Sequence, residues 1–511
     1  MKTFKHLILI GVAITAVLFH SCKKFDDINT NKNSPTKTTA SLLATNLILN
    51  ITANSGGKTF ALSALTSKGL AWGELPQGEQ YNNIGSAAFS GMTVLTNVQK
   101  MIDAAADADK DVYTGLGLFI KAYKLYYLSL SVGDIPYSEA LMGETGNVTP
   151  KYDTQKQVMQ QVLKDLERSA SLLSTAKSFT GDPVLNGTSD AWRRVVNSFR
   201  LKVLISLSKK EADPDLKIKE SFAQILQNEP LLRNNGDNLQ RVYSDKANQL
   251  YPFNNSINKF TSYAMVSTVI IDTLKKYNDY RLFYYAAPSV YQTQTAGKLP
   301  SDKDAYLGTD PFQDFTATVA AFNSKKYSQL NLRYTAYVPG EPVVTIGYAE
   351  QNFIIAEAIV RGWTTGNAKT YYDGGITAAM NFITSFTPDN VIYHSGKNMT
   401  SSYISNTYLT DPNVLFAITS DKQLKQIWMQ KYLLYFMEYP YDAFYDNRRT
   451  GYPKLPVNPA TSTNPFDKNN MPLRYTYSST EYSYNLDNLK EALARQYNGN
   501  DRTDGVMWIL Q

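Results

Sequence analysis

The chain predicts an all-α fold of tetratricopeptide-type helical repeats with an irregular, loop-rich variable region, and three observations carry that prediction. Apolar residues recur at three- and four-residue spacing through a series of long windows. Those windows open at Ser, Thr or Asp and close at Gly or Pro, as helices do. Alternating, strand-like patterns are scarce between them. Paired helices of this length bury their apolar faces by stacking on neighbouring pairs, and since no regular period of roughly 34 residues can be aligned, the repeat is degenerate.

The elements follow in order. Lys2 and Lys5, the apolar run from Leu7 to Phe19, Ser21 and the only cysteine, Cys22, form a lipoprotein-type export signal too short to span a bilayer. Residues 1–21 are expected to be removed, leaving the Cys22 thiol to carry lipid, whose several acyl chains hold at roughly 0.8 kcal/mol per buried methylene. Phe19 and His20 stand where Leu and Ala or Ser are usual, so the alternative is an ordinary secreted protein with a stray cysteine. Residues 22–40 are polar and read as a flexible tether. Residues 41–511 read as one domain: helical repeats over about 41–210 and 341–450, the variable region over about 211–340, and a loop-rich C-terminal part over 451–511.

The first helix begins near Thr39 and Ser41, carries Leu42, Leu43, Leu47 and Ile51, and stops at Gly56-Gly57; a second runs from about Phe89 to Ala106. The clearest stripe follows Thr114, with Leu118, Phe119, Ala122, Leu125, Tyr126 and Ser129 ending at Gly133. Another helix opens at Asp153 or Thr154, where Gln157 completes a capping box, and turns Val158, Val162, Leu166, Ala170 and Leu173 inward. The next opens at Ser189 or Asp190 and buries Trp192, Val195, Val196, Phe199, Val203 and Leu207. Helices return at Tyr348–Val360, Tyr371–Phe386 and Leu424–Phe436, and around Leu486 to Tyr497.

Composition excludes several functions. His6 and His20 leave with the signal, and His394 is expected to be solvated in a polar stretch, so histidine triads and transition-metal sites lack their residues. The 51 basic and 45 acidic residues form no Lys/Arg block, so nucleic-acid binding has no electrostatic footprint. Asp302, Asp304 and Asp310 lie outside any EF-hand pattern, and neither a metal nor a cofactor is expected. The 36 tyrosines are the anomaly. A flat apolar face with a polar tip suits sugar rings or an extended peptide, and the plain alternative is a Tyr-rich core and surface.

Four ordered segments make the chain resemble the SusD/RagB family of nutrient-binding outer-membrane lipoproteins, in its SusD-like branch. They are Gly133-Asp134-Ile135-Pro136-Tyr137-Ser138-Glu139-Ala140 with Tyr152-Asp153-Thr154-Gln155; Ala191-Trp192 with Asn197-Ser198-Phe199-Arg200-Leu201; Tyr348 to Ala358 with Arg361-Gly362-Trp363, Tyr371 and Gly375-Ile376; and Gln430-Lys431-Tyr432 with Asn447 to Pro453. Lys23-Lys24-Phe25-Asp26-Asp27 resembles the start of such lipoproteins, although Phe25 precedes the acidic pair and the C-terminal pattern ends in Val506-Met507-Trp508. The resemblance implies one helical-repeat domain, held at the outer membrane by lipid alone and facing outward. It further implies binding of an oligosaccharide, or in the alternative a peptide, delivery to a SusC-like TonB-dependent transporter, and no catalytic residues.

Ligand contacts are expected from loops rich in aromatics and amides. Ala71 to Asn83 is the foremost, with Trp72 in a Gly/Pro-bounded loop and Tyr81, Asn82 and Asn83 behind it; the second is Tyr251, Phe253 and Asn254 in the variable region. Trp192, Trp363 and Trp428 lie on apolar stripes and are expected in the core. Glu350 and Glu357, seven apart on one helix face, invite the rival reading of a lipid-anchored glycoside hydrolase with paired carboxylates. Their helix is otherwise apolar, so the expected role is bonding neighbouring helices through Arg448 or Arg449. A scaffolding repeat protein without a small ligand is the third reading.

Overall fold

The first predicted helix forms as α1 (Ala40–Ile51), opened by the Thr39 hydroxyl, which accepts the Leu42 N–H at 3.3 Å. The computed structural model describes residues 38–255, 261–439, 441–455 and 457–511; the export signal, Cys22 and the tether up to residue 37 lie outside them. A short α2 (Lys58–Thr66), absent from the sequence reading, leads into β1 (Leu70–Trp72). The predicted Phe89–Ala106 helix divides into a 3-10 segment and α3 (Thr96–Asp103). Next come α4 (Lys110–Val132), α5 (Gln155–Thr175) and α6 (Ser189–Ser206), each packed on the one before. On α4 the inward stripe holds Leu116, Phe119, Ala122, Leu125 and Tyr126, while Leu118 is only half-buried. The capping box of α5 forms as predicted, Thr154 and Gln157 each accepting the other's backbone N–H.

The stretch expected to be irregular contains α7 (Ile218–Asn228), β2 (Leu239–Arg241), β3 (Ala264–Val266), α8 (Thr268–Lys276) and α9 (Phe315–Asn323), joined by turns. Then follow β4 (Val343–Ile346), α10 (Tyr348–Val360), α11 (Ala368–Ser385), α12 (Ser420–Leu434), α13 (Asp442–Thr450) and α14 (Leu486–Tyr497). The strands make two antiparallel pairs: β1 with β3, placing Trp72 opposite Ala264, and β2 with β4, whose register shifts between Leu239 and Gln240. Strands of three or four residues are too short to display an alternating pattern, so they could not be read from sequence.

Two hydrophobic cores result. One is built from α1, α3 to α7 and α14, the other from α2, β1, β3, α8, α11 and α12. α10 serves both, giving Ile354, Ile355 and Ala358 to the first and Phe353 and Ala356 to the second. Every residue of α10 from Ala349 to Ala358 is buried, the polar Glu350, Gln351, Asn352 and Glu357 included.

The residues that carry the family resemblance hold one another. Asp134 accepts the N–H of Gln155 at 2.7 Å, capping α5, and takes Arg495 at 2.6 Å; burial outweighs that arginine and pushes the Asp134 carboxyl up to about 6. The Gln351 amide bonds both the N–H and the C=O of Leu232 at 3.0 Å. Glu357 receives Arg449 through both guanidinium nitrogens, at 2.6 and 2.9 Å, so the expected Glu357–Arg449 link forms. Arg448 instead donates to the carbonyls of Leu473 and Leu130 and lies over the Tyr445 ring.

Trp192 and Trp363 sit in the core as expected, and Trp428 packs half-buried against it. His394 departs from expectation. It ends the one-turn helix Val391–His394, is buried beside Tyr284, and bonds Asp389 at 3.1 Å and the Gly396 N–H at 3.2 Å.

Candidate functional site

A cleft of about 520 Å³ opens where the end of α1, the loop Ser86–Met92, one face of α4, strand β4 and the start of α13 converge, with Tyr475 closing one side. Five tyrosines line it. Tyr123 and Tyr127 lie one turn apart on α4, their rings 4.9 Å apart and edge-on. Tyr441 and Tyr445 lie one turn apart at the start of α13; Tyr445 meets Tyr127 at 6.1 Å and Tyr441 meets Tyr475 at 6.5 Å. All five are partly exposed, and Phe199 backs Tyr123 at 5.3 Å, so the rings are held from behind while facing the opening.

Their hydroxyls divide into two groups. Tyr127 donates to Asp442 at 3.0 Å and Tyr445 shares a hydrogen bond with Ser131 at 2.9 Å. Tyr123, Tyr441 and Tyr475 make no side-chain hydrogen bond to protein among the described residues. Asn54, Ser86, Ser131 and Thr345 add amide and hydroxyl groups, and Lys124 is tied to Asn50 at 2.6 Å. Burial raises the Tyr441 phenol to about 12, and burial with the nearby Asp442 charge raises Tyr123 and Tyr127, so each stays a neutral donor and acceptor at neutral pH.

Beneath the rings lies a closed ion cluster. Lys202 reaches Glu350 and Asp442, each at 3.0 Å, and Tyr435 donates to Glu350 at 2.8 Å. Burial would lower the Lys202 pKa, but Asp442 and Glu350 together outweigh it and hold the ammonium charged. One cation cannot fully neutralise two buried carboxylates, and burial leaves Asp442 pushed up to about 6. Glu350 and Glu357, the pair that suggested hydrolysis, are thus each buried and bound to a cation, as structural ties are. Among the described residues no group of three or more His, Cys, Asp or Glu side chains is placed to hold a metal ion.

The residues singled out from sequence are elsewhere. Trp72 is not in an open loop: it ends β1, is 1% exposed in the second core, gives its N–H to the Gln80 side chain at 2.9 Å, and packs on Tyr263. Tyr81 and Asn82 are buried under the same fold-back, and only Asn83 stays exposed. Tyr251, Phe253 and Asn254 have no exposed surface; Phe60 packs on both rings, and Asn254 donates to the Tyr337 carbonyl. None of the seven lines the cleft. Six of the seven side chains are buried and Asn83 is exposed away from the cleft, so the expectation of exposed stacking rings there is corrected. Trp72→Ala is therefore expected to destabilise the protein by at least about 3 kcal/mol, which denaturant unfolding measures.

The sequence did hold a signal for the cleft. Tyr123 and Tyr127, and again Tyr441 and Tyr445, are four apart, which puts two rings on one helical face.

Stacked helix pairs bearing a half-exposed aromatic cleft define a helical-repeat binding protein. The chain belongs to the SusD-like family: the family model SusD-like_2, described as "Starch-binding associating with outer membrane", matches residues 32–478. Among solved structures, a SusD homologue from Bacteroides fragilis is 48% identical, with a TM-score of 0.90 and coverage of 93% of this chain and 100% of that one. A second SusD homologue from Bacteroides fragilis is 32% identical, with a TM-score of 0.82 and the same coverage, 93% and 100%. An outer-membrane protein from Bacteroides vulgatus whose description names nutrient binding is 30% identical, with a TM-score of 0.83 and again 93% and 100% coverage. No curated protein matches the chain. The family and the helical-repeat fold that the four motifs implied are those found, and the family is one of outer-membrane nutrient binders. No helix among the described residues is long and apolar enough to cross a membrane.

Proposed function

We propose that this protein is a non-catalytic receptor, tethered to the outer membrane by lipid on Cys22, that captures an oligosaccharide in the tyrosine cleft and passes it to a SusC-like TonB-dependent transporter. The observation that carries the reading is the cleft itself: five partly exposed tyrosines around one opening, three of them with hydroxyls unused by the protein. Ring faces stack on the apolar faces of sugars while hydroxyls and amides meet their polar edges. The nearly neutral lining favours an uncharged glycan over a peptide, whose charged side chains would need countercharges in the wall.

Calorimetric titration with malto- and chito-oligosaccharides and with a peptide pool tests the ligand class. Tyr123→Ala and Tyr475→Ala are each expected to weaken glycan binding about tenfold, the equivalent of roughly 1.4 kcal/mol, measured below the unfolding transition, since both rings also pack against the first core and their loss lowers the unfolding midpoint. Binding of peptides and no glycan would transfer the cleft to the peptide reading. Delivery is tested by co-purification of a TonB-dependent barrel from membranes, and anchoring by loss of membrane retention in Cys22→Ala.

A further inference from the structure

Beside the cleft lies a second concavity that the cleft reading does not use. It has a volume of about 310 Å³ and is lined by Val242, Tyr243, Tyr337, Pro339, Gly340, Pro342 and the turn Ser385–Pro388. Its walls offer rings and prolines and no charged side chain. Tyr337 and Phe386 are partly exposed, and Tyr337 makes no side-chain hydrogen bond among the described residues.

Its floor is tightly shaped. Gly340 has a φ of +58° and lies directly on the Tyr251 ring, so a Cβ there would come within 2.2 Å of it. Only glycine meets both conditions. The buried Tyr251 of the sequence reading therefore supports the groove from below without lining it.

The two concavities share a wall. Pro342 lines the groove, and the next residues, Val343, Val344 and Thr345, line the cleft. Asn54, a cleft residue, donates to the hydroxyl of Tyr243, a groove residue, at 3.0 Å. The β2–β4 pair forms this wall, since Val242 and Tyr243 follow directly on β2 and Arg241 is paired with Val343.

We infer that the groove at Tyr243, Tyr337 and Phe386 is a second subsite for the same neutral oligosaccharide, taking the sugar units that extend beyond the tyrosine cleft over the Asn54–Tyr243 wall. The inference rests on the cleft being the glycan site. It adds that the ligand is a chain long enough to cross the wall, held at its far units by ring and proline faces, without ionic contacts. A charged glycan would find no countercharge in the groove.

Chain length separates the two claims. The full-length protein is titrated with maltotriose against maltoheptaose, and with chitotriose against chitohexaose. The longer member of the recognised series is expected to bind at least tenfold more tightly. Val242→Trp adds bulk at a groove lip that is 62% exposed, so the core is untouched, and Phe386→Ala removes a ring from the opposite wall. Each is expected to abolish the length gain and leave trisaccharide affinity unchanged. Equal affinity for both lengths, or a length gain that survives both variants, overturns the second subsite while the cleft stands. Failure of every member of both series to bind overturns the cleft reading and this inference with it.

Discussion

Lys202→Met is expected to destabilise the protein by about 3–5 kcal/mol at neutral pH, because breaking a buried ion pair leaves the partner charge without compensation. Here two charges are left. Glu350 and Asp442 are both buried, and without Lys202 each retains only a tyrosine hydroxyl, from Tyr435 and Tyr127 respectively. Methionine fills the space but supplies no countercharge. The deficit must depend on pH, and its sign follows from Asp442. The folded carboxyl titrates near 6, above its ordinary value of 3.8, so between those values the folded state holds a proton that the unfolded state has released. That contribution is fully present below the ordinary value and is lost as pH rises through about 6. Removing Lys202 raises the Asp442 carboxyl further, so the deficit should be largest near pH 8 and smaller near pH 5. Urea unfolding at the two pH values measures it, and an equal deficit at both would sink the argument. Adding Glu350→Gln and Asp442→Asn to the variant should recover most of the loss at neutral pH.

Arg449→Leu is the second large effect, also expected at about 3–5 kcal/mol. Arg449 lies between Glu357 and Asp446, with Arg361 and Lys431 on the far sides of those two carboxylates. Burial alone would raise the Asp446 carboxyl, but Arg449 and Lys431 outweigh it and hold it well below the usual carboxylate range. Leucine removes two charge-assisted bonds to Glu357 and those to Asp446, and leaves Arg361 and Lys431 to compensate from one side each. Arg449→Lys keeps the charge yet loses the fork that spans both Glu357 oxygens, so it should recover less than half of the deficit. An Arg449→Leu protein with the wild-type urea midpoint would show that α10 and α13 are held by packing alone.

The helices were legible where apolar residues recur at helical spacing. α5 has an apolar stripe backed by a polar face, and α6 keeps such a stripe although Val195 to Ile205 are all buried. Their predicted inward residues, Val158 to Leu173 and Trp192 to Leu207, are all buried. α10 was found with both ends correct, although it is buried on every side from Ala349 to Ala358. α2 and α13 were missed: one has a weak stripe, and the other, at Asp442–Thr450, is dense in charged residues that read as a loop until their partners on α6 and α10 are in place. The motifs led to the correct family for a physical reason. Asp134, Gln351, Glu357 and Arg449 are ties between helices, and such ties demand particular residue types at particular spacings.

The sites behaved differently. Trp72 was chosen because glycines and a proline surround it, and those residues do mark turns, but turns that set β1 beside β3 with Trp72 in the second core. Composition reports how the chain bends and is silent about what then lies on top. The cleft tyrosines come from α4, from the N-terminal end of α13 and from a C-terminal loop, so no window of helical length contains more than two of them. By itself the sequence determined the helices, the family and the neutral, aromatic chemistry available for binding, because periodicity, capping and residue type are local. Only the tertiary structure decided which rings are exposed, since that depends on which remote segments arrive beside them: Trp72 is buried where β1 pairs with β3 and Tyr263 packs on its ring, while Tyr123 keeps part of its surface open to the cleft.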